Sequence, residues 1–270
     1  MRKFLKKMLQ KVGAKRQKSS SLSDSTAYND FCRLAGTDEG QFANFRRNPV
    51  YNEILEHMTE EQGAEYLDLV KSDEDVFSRI EVFRENDNYG NPRTFSYPDI
   101  GVFSPTTLRY IKVLADLKSL FGSLDDMSIC EIGVGYGGQC RVISSFFSPS
   151  LYCLVDIAPA LMLAEKYLNN FDCASTCTFQ PPDIVETRQY DLLISNYAFT
   201  ELRRSIQDAY LEKVILQAVR GYITYNDINP PDYLSYKKDE LLAMIPGSRI
   251  LDEVPLTHSG NCIIVWGDLR

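Results

Sequence analysis

The residues best suited to chemistry form a glycine-rich stretch near the middle of the chain, Cys130-Glu131-Ile132-Gly133-Val134-Gly135-Tyr136-Gly137-Gly138. A short apolar run precedes the stretch and a helix-forming run follows it, which predicts a strand, a glycine turn and a helix start. Glycines allow positive φ and close approach of a ligand to the backbone. The first turn of a helix adds unpaired N–H groups. The stretch therefore predicts a cradle for a nucleotide-like ligand.

Two cofactors fit this glycine spacing. Gly133, Gly135 and Gly138 match a dinucleotide fingerprint, with Asp156 as the ribose partner after the next strand. Glu131 favours S-adenosylmethionine instead, because a carboxylate there would repel a pyrophosphate and attract an ammonium group. Asp156 would then accept bonds from both ribose hydroxyls. A nicotinamide or flavin enzyme, an unliganded turn and a cofactor-binding module without turnover remain the alternatives.

The predicted cofactor contacts share the carboxyl ends of the first four strands of a sheet: Glu131, Gly133, Gly135, Gly137, Asp156, Ile157, Asp183 and Asn196. Within this set, Asp183 is placed to bond the adenine amino group. Asn196 could orient the methionine moiety or the acceptor, or simply cap the strand end.

A methyl transfer to a hydroxyl also needs a base. Glu201 follows the fourth strand and is preferred; its alternative role is a helix-terminal acid that interacts with the helix dipole or Arg203. His258, in a predicted hairpin loop, is the second candidate, and it could equally be an exposed loop histidine. A metal-assisted reaction ranks second. It would need clustered carboxylates such as Asp227, Asp232 and Asp183, which no spaced motif gathers, so no metal ligands are assigned. Four tyrosines offer a possible stacking surface for the acceptor, with one or two of them expected in the core: Tyr222, Tyr225, Tyr233 and Tyr236.

Alternating strand and helix patterns surround these residues. We expect strands near 127–132, 150–155, 175–179, 190–195 and 221–225, with helices near 138–147, 158–170 and 205–219 between them. Residues 248–254 and 261–266 read as two strands without a helix between them. The prediction is an α/β, Rossmann-like sheet of seven mostly parallel strands that ends in an antiparallel hairpin.

The chain divides into three predicted parts. Residues 1–27 form a basic amphipathic segment with a Ser-rich linker, residues 28–121 a helical extension that covers the site, and residues 122–270 the cofactor-binding domain. Two or three helices are expected before residue 78, a loop over 86–98, and a helix from Thr106 to Phe121 capped at Ser104.

Charge and cysteine content limit the function classes. Because the whole chain carries −8 and residues 1–18 carry +8, the remainder carries −16, which disfavours a nucleic-acid partner. Residues 1–18 predict either a helix on an anionic membrane surface or a disordered tail. Seven cysteines without a C-x-x-C pair predict reduced thiols rather than disulfides or zinc. No signal peptide or membrane span is predicted, so a cytoplasmic enzyme at most peripheral to the inner membrane is expected.

Five stretches together resemble one family. They are Ser-Pro-Thr-Thr-Leu-Arg-Tyr (104–110), Glu-Ile-Gly-Val-Gly-Tyr-Gly-Gly (131–138), Val-Asp-Ile (155–157), Ser-Asn-Tyr-Ala-Phe-Thr-Glu-Leu (195–202) and Asn-Cys-Ile-Ile-Val-Trp-Gly (261–267). The combination resembles the sugar O-methyltransferase family found with bacterial surface-polysaccharide genes, over roughly residues 86–267. The resemblance implies methyl transfer from S-adenosylmethionine to a hydroxyl of a free, nucleotide-linked or lipid-linked sugar.

Overall fold

The computed structural model describes residues 25–270, apart from the side chain of Ala174. The predicted membrane-binding segment, residues 1–18, lies outside the described residues. The helices are α1 (Thr26–Thr37), α2 (Glu39–Phe42), α3 (Pro49–Ile54), α4 (Glu60–Lys71), α5 (Glu74–Phe77), α6 (Ile80–Arg84), α7 (Pro105–Phe121), α8 (Gly138–Ser144), α9 (Ala158–Leu168), α10 (Arg204–Tyr210) and α11 (Lys238–Met244). The strands are β1 (Phe95–Tyr97), β2 (Gly101–Phe103), β3 (Ser128–Ile132), β4 (Leu151–Val155), β5 (Cys177–Gln180), β6 (Leu192–Asn196), β7 (Arg220–Tyr225), β8 (Arg249–Leu251) and β9 (Cys262–Trp266).

The central sheet has seven strands in the order β5-β4-β3-β6-β7-β9-β8. The first five pair in parallel, and β9 lies antiparallel between β7 and β8. The inner strands are nearly continuous apolar runs, as expected for a parallel sheet covered on both faces. The predicted fold class is confirmed.

The helical extension before residue 122 packs on one face of this sheet domain. Helix α1 lies against α9, and α4 lies against α7. Local caps set the helix starts: Ser25 accepts from Tyr28 N, and Thr59 and Gln62 form a capping box. One buried apolar cluster runs from Tyr28 to Val265, so the extension shares its core with the sheet.

The extension differs from the prediction in two places. The described residues hold six helices between 26 and 84, shorter and more numerous than expected, because turns capped by Asp38, Asn48 and Asp73 interrupt the apolar pattern. The loop predicted over 86–98 contains β1, which pairs with β2 in a separate hairpin. The capped helix beginning at Ser104 is confirmed, since the Ser104 side chain accepts from Thr107 N at 3.3 Å.

A buried arginine holds separate parts of the extension together. Arg46 is fully buried and donates from its guanidinium to Glu56 at 2.6 and 3.3 Å, to Asp87 at 2.9 Å, to the Asn86 carbonyl at 3.2 Å and to Ser104 at 2.7 Å. These contacts use the guanidinium fork fully. The network therefore fixes residues 46–56 against the start of α7.

Two further features concern the thiols and the lengths of the helices. All seven cysteines are free thiols, although the Cys140 and Cys177 sulfurs lie 3.6 Å apart. Within residues 25–270, no helix has the length and apolar character needed to cross a membrane.

Candidate active site

The glycine loop joins β3 to α8 at the carboxyl edge of the sheet. Gly133, Gly135 and Gly137 have φ of +80°, +56° and +86°, conformations that favour glycine. The Gly133 N–H donates to the Val155 carbonyl at 2.8 Å, which ties the loop to β4. A Cβ on Gly133 would lie 1.9 Å from the Ala198 Cβ, so the close packing of Ala198 against the loop also requires a glycine here.

Glu131 lies beneath the glycine loop, not on its surface. Its side chain is 2% exposed, and its Oε2 accepts from the Tyr152 hydroxyl at 2.7 Å. Burial raises the pKa of Glu131 to about 8, although the Tyr152 bond opposes the rise. A carboxyl with this pKa is largely protonated near pH 7 as long as no cation lies beside it, and the role of Glu131 in selecting an ammonium over a pyrophosphate stays a prediction. Its Oε1 accepts no hydrogen bond from the described residues and remains open to an ammonium group.

Asp156 ends β4 and holds the glycine loop directly. Its Oδ2 accepts from Val134 N at 2.9 Å and Gly135 N at 3.2 Å, and its Oδ1 accepts from Ile157 N at 2.7 Å. A carboxylate offers about four acceptor positions. Backbone N–H groups take three of them, so Asp156 has a structural role in holding the loop, and its bonds to the ribose hydroxyls stay a prediction. The role of Ile157 is to donate this backbone bond.

Asp183 and Asn196 lie at the carboxyl ends of β5 and β6, at the same edge of the sheet as the glycine loop. Asp183 is exposed in a short 3₁₀ turn after β5, and both Asp183 and Asp156 act electrostatically on the buried Tyr210 hydroxyl, raising its pKa after the larger effect of burial. Asn196 ends β6, and its Oδ1 accepts from the Thr224 hydroxyl at 3.3 Å. Both residues therefore border the glycine loop's edge of the sheet.

Glu201 closes a 3₁₀ turn, Ala198–Glu201, that follows β6. The side chain is half-buried and accepts from Asn226 Nδ2 at 2.8 Å. Desolvation raises the pKa of Glu201, and the Asn226 bond opposes the shift. A carboxyl with a raised pKa at the carboxyl end of β6 is chemically suited to accept a proton.

His258 is exposed in a loop, whereas the four tyrosines predicted to form a stacking surface are buried. His258 is exposed in the loop between β8 and β9, and its backbone carbonyl accepts from Asn261 N at 3.0 Å. The tyrosines are buried, with exposed fractions of 1%, 2%, 8% and 7% for Tyr222, Tyr225, Tyr233 and Tyr236. Tyr222, Tyr225 and Tyr236 belong to the apolar clusters, and the Arg203 guanidinium covers the Tyr233 ring at 3.9 Å, so the stacking surface predicted from the four rings is wrong.

The structure adds a polar cluster that the sequence did not single out. Tyr197 follows β6 with φ 67° and ψ −39°, a sparsely populated conformation for a bulky residue. Its hydroxyl donates to the buried Glu253 at 2.5 Å, and Thr257 also bonds Glu253 through its N–H at 2.9 Å. The Arg109 guanidinium lies 5.6 Å from the Tyr197 ring centre.

Signals for part of this cluster were present. Arg109 lies in the 104–110 stretch and Tyr197 in the 195–202 stretch that carry the family resemblance, whereas nothing in the sequence marks Glu253. In the described part of the chain, no three His, Cys, Asp or Glu side chains group as metal ligands.

Comparisons with known proteins give partial likenesses. No family model matches the chain. A non-reducing polyketide synthase, nvfA, from Aspergillus novofumigatus is 33% identical over 109 residues, which is 37% of this chain and 5% of that protein. The chain thus spans a small fraction of the curated relative's length.

The solved structures that are similar include three methyltransferases. Magnesium protoporphyrin IX methyltransferase from Synechocystis PCC 6803, with bound SAM, is 16% identical and aligns over 60% of this chain and 78% of that chain at a TM-score of 0.46. The tRNA methyltransferase TrmK from B. subtilis is 12% identical over 58% and 64%, and an rRNA methylase from Streptococcus thermophilus is 15% identical over 58% and 92%, both at 0.41. At these levels of similarity, the likenesses establish no activity for this chain.

Proposed function

We propose that the protein is an S-adenosylmethionine-dependent O-methyltransferase that acts on a sugar hydroxyl. The observation that carries the proposal is the strand order β5-β4-β3-β6-β7-β9-β8 combined with a glycine loop after β3 and an acid after β4. In open parallel sheets, ligands bind across the carboxyl ends of the strands. A dinucleotide fold would continue with another strand–helix–strand unit where this chain has the antiparallel β9.

The residues at the edge of the sheet fit this cofactor in part. Glu131 Oε1 would accept from the cofactor's ammonium, Asp156 would accept from the ribose at the end of β4, and Asp183 would accept from the adenine amino group. When bound, S-adenosylmethionine would supply an electrophilic methyl group. The protein would then have to orient the acceptor and take its proton.

Glu201 is the proposed base. Its raised pKa brings its proton affinity closer to neutral pH, and its position after β6 places it on the edge where the acceptor would lie. Only the ionised form accepts a proton, so turnover should rise with pH through the raised pKa of Glu201. His258, exposed in the β8–β9 loop, is the second candidate.

Two buried amide oxygens beside Glu201 favour an acceptor with several hydroxyls. The Oδ1 atoms of Asn226 and Asn229 have no hydrogen-bond donor among the described residues, while the Asn229 amide nitrogen donates to the Thr200 carbonyl and to Ser235. Buried acceptors without donors cost free energy. Sugar hydroxyls are suitable donors, in agreement with the family resemblance.

Calorimetry on the full chain tests the cofactor assignment. We expect S-adenosylhomocysteine to bind and NAD not to bind. Asp156→Asn should weaken binding, whereas Asp239→Asn, an exposed aspartate in the first turn of α11, should leave it unchanged. Binding of NAD without binding of the homocysteine would show that the assignment is wrong.

Turnover with purified surface-polysaccharide sugars tests the base. General base catalysis contributes about 10²–10⁴-fold, so Glu201→Gln should lose that factor and still bind S-adenosylhomocysteine. His258→Ala is the matched comparison and should retain activity. The reverse pattern would assign the base to His258, and loss of turnover on chelation in both variants would favour a metal-assisted reaction.

We also propose that residues 1–18 bring the enzyme to lipid-linked acceptors. Their eight basic residues and no acid support this, at about 1 kcal/mol per basic residue near an anionic surface. Flotation with anionic liposomes should recover the full chain but not a variant that begins at Tyr28. Equal recovery of the two in the soluble fraction would argue against a membrane role.

A further inference from the structure

Arg109 differs from the buried cations nearby, Arg46 and Lys112, in having no acid partner among the described residues. Its guanidinium lies 5.5 Å from the Tyr110 ring centre and 5.6 Å from the Tyr197 ring centre. Among residues 25–270, no hydrogen bond or ion pair joins it to a carboxylate. Arg46, one network away, is by contrast fully paired with Glu56 and Asp87.

The carboxylates nearest to Arg109 are already engaged. Both oxygens of Glu56 accept from Arg46. Glu253 accepts from the Tyr197 hydroxyl and from the N–H and hydroxyl of Thr257. Arg109 is half-buried, and a cation partly removed from water gains strongly from an anionic partner. Such a partner must come from outside the described chain.

The position of Arg109 points to a ligand at the carboxyl end of the sheet. Together with Asn196, Tyr197 and Thr224, it lines a cavity of about 20 Å³ above β6 and β7. That volume holds about one water-sized group, such as a single carboxylate oxygen. The cavity shares Lys112 and Tyr222 among its walls with an open cleft of about 670 Å³, through which a larger ligand could reach it.

The chemistry of the walls selects the kind of anion. A guanidinium fork matches a planar carboxylate through two parallel hydrogen bonds. The adjoining cleft is lined by five acids, Asp73, Glu74, Asp75, Asp116 and Asp252. Their charge would repel a doubly charged phosphate more than a singly charged carboxylate.

We infer that Arg109 binds a carboxylate of a ligand of this site. The inference rests on the proposed methyltransferase function and assigns a further binding residue to it. The carboxylate can come from the methionine moiety of the cofactor or from an acidic acceptor, and the same geometry serves either.

Titration calorimetry on the full chain separates the two sources. If the cofactor supplies the carboxylate, Arg109→Gln should weaken S-adenosylhomocysteine binding about 10- to 100-fold. Binding of the decarboxylated analogue should be equal in both proteins. The matched control is Arg33→Gln, because Arg33 is an exposed arginine of α1 that pairs with Asp30 at 3.2 Å, away from the residues that line the cavity. This variant should bind both compounds as the unmodified protein does.

If S-adenosylhomocysteine binds Arg109→Gln unchanged, the acceptor is the predicted source. D-glucuronate and D-glucose are then titrated into the homocysteine-loaded protein and followed by NMR. Glucuronate should bind the unmodified protein and not Arg109→Gln. Glucose, which has no carboxylate, should have the same affinity for the two proteins. Unchanged binding of both the homocysteine and glucuronate in Arg109→Gln would overturn the inference.

Two further readouts keep the outcomes distinct. If Arg109→Gln and Arg109→Lys unfold at the same temperature as the unmodified protein, a loss of binding is not caused by a loss of fold. Failure of the unmodified protein to bind S-adenosylhomocysteine would refute the proposed function. The glucuronate comparison, run without the homocysteine, would still decide whether Arg109 binds a carboxylate.

Discussion

Replacement of Glu131 by glutamine should make the protein more stable at alkaline pH. The Glu131 carboxyl is 2% exposed beneath the glycine loop, with a pKa raised by burial to about 8 from an ordinary value of 4.5. In the unfolded chain the same group ionises near its ordinary pKa. Between these two values the unfolded state binds fewer protons than the folded state, so stability falls as the pH rises through this window.

The magnitude follows from the two pKa values. At about 1.36 kcal/mol per pKa unit, a rise from 4.5 to about 8 costs on the order of 5 kcal/mol once the pH exceeds the folded pKa. Native domains are stable by only about 5–15 kcal/mol. Glutamine keeps an amide oxygen for the Tyr152 hydroxyl but cannot ionise. Glu131→Gln should therefore match the unmodified protein near acidic pH and exceed it by several kcal/mol near pH 8.

Urea unfolding of both proteins across this pH range measures the difference. Subtracting one from the other cancels the titration of all groups that the two proteins share. Glu65→Gln, at an exposed position of α4, is the matched control. A Glu131→Gln difference that stays constant with pH would refute the reasoning, and it would mean that Glu131 is charged in the folded protein.

Three other outcomes are expected. Gly133→Ala should destabilise the protein by several kcal/mol, because its Cβ would lie 1.9 Å from that of Ala198. The control is Gly247→Ala, which is also at positive φ but has nothing within 4 Å, and it should cost only about 1–2 kcal/mol of backbone strain. Combining Gly133→Ala with Ala198→Gly should recover part of the loss, and chemical denaturation measures all three. Arg46→Met should cost about 3–5 kcal/mol, because it leaves Glu56 buried without its cation. Adding Glu56→Gln should restore part of that stability. If it restores none, the loss comes from altered packing and not from the unpaired carboxylate. S-adenosylhomocysteine binding near neutral pH should release protons if Glu131 ionises against its ammonium, and calorimetry in buffers of different ionisation enthalpy should lose that release in Glu131→Gln.

The sheet was predictable because its signals are local. Each of β3 to β7 is a short apolar run bounded by turn residues, and the absence of a helix between β8 and β9 predicts their antiparallel pairing. The extension was predicted less well. Its helices are short, and caps such as Asp38 and Asp73 compete with an apolar periodicity that would otherwise read as longer helices.

The sequence by itself determined the positions of the strands along the chain and the place of the glycine loop, because strand runs, glycine spacing and the following helix are encoded by neighbouring residues. It also placed Asp156, Asp183 and Asn196 at strand ends on one edge of the sheet. Only the tertiary structure decided the raised pKa of Glu131 and the part that Asp156 plays in holding the glycine loop. Burial and backbone hydrogen bonds fix these properties, and their partners are distant in the chain. The same holds for Arg109, whose lack of an acid partner depends on Glu56 and Glu253 being engaged by other residues. Local patterns fix which atoms reach an edge of the sheet, whereas long-range packing fixes the charge and hydrogen bonds that those atoms carry there.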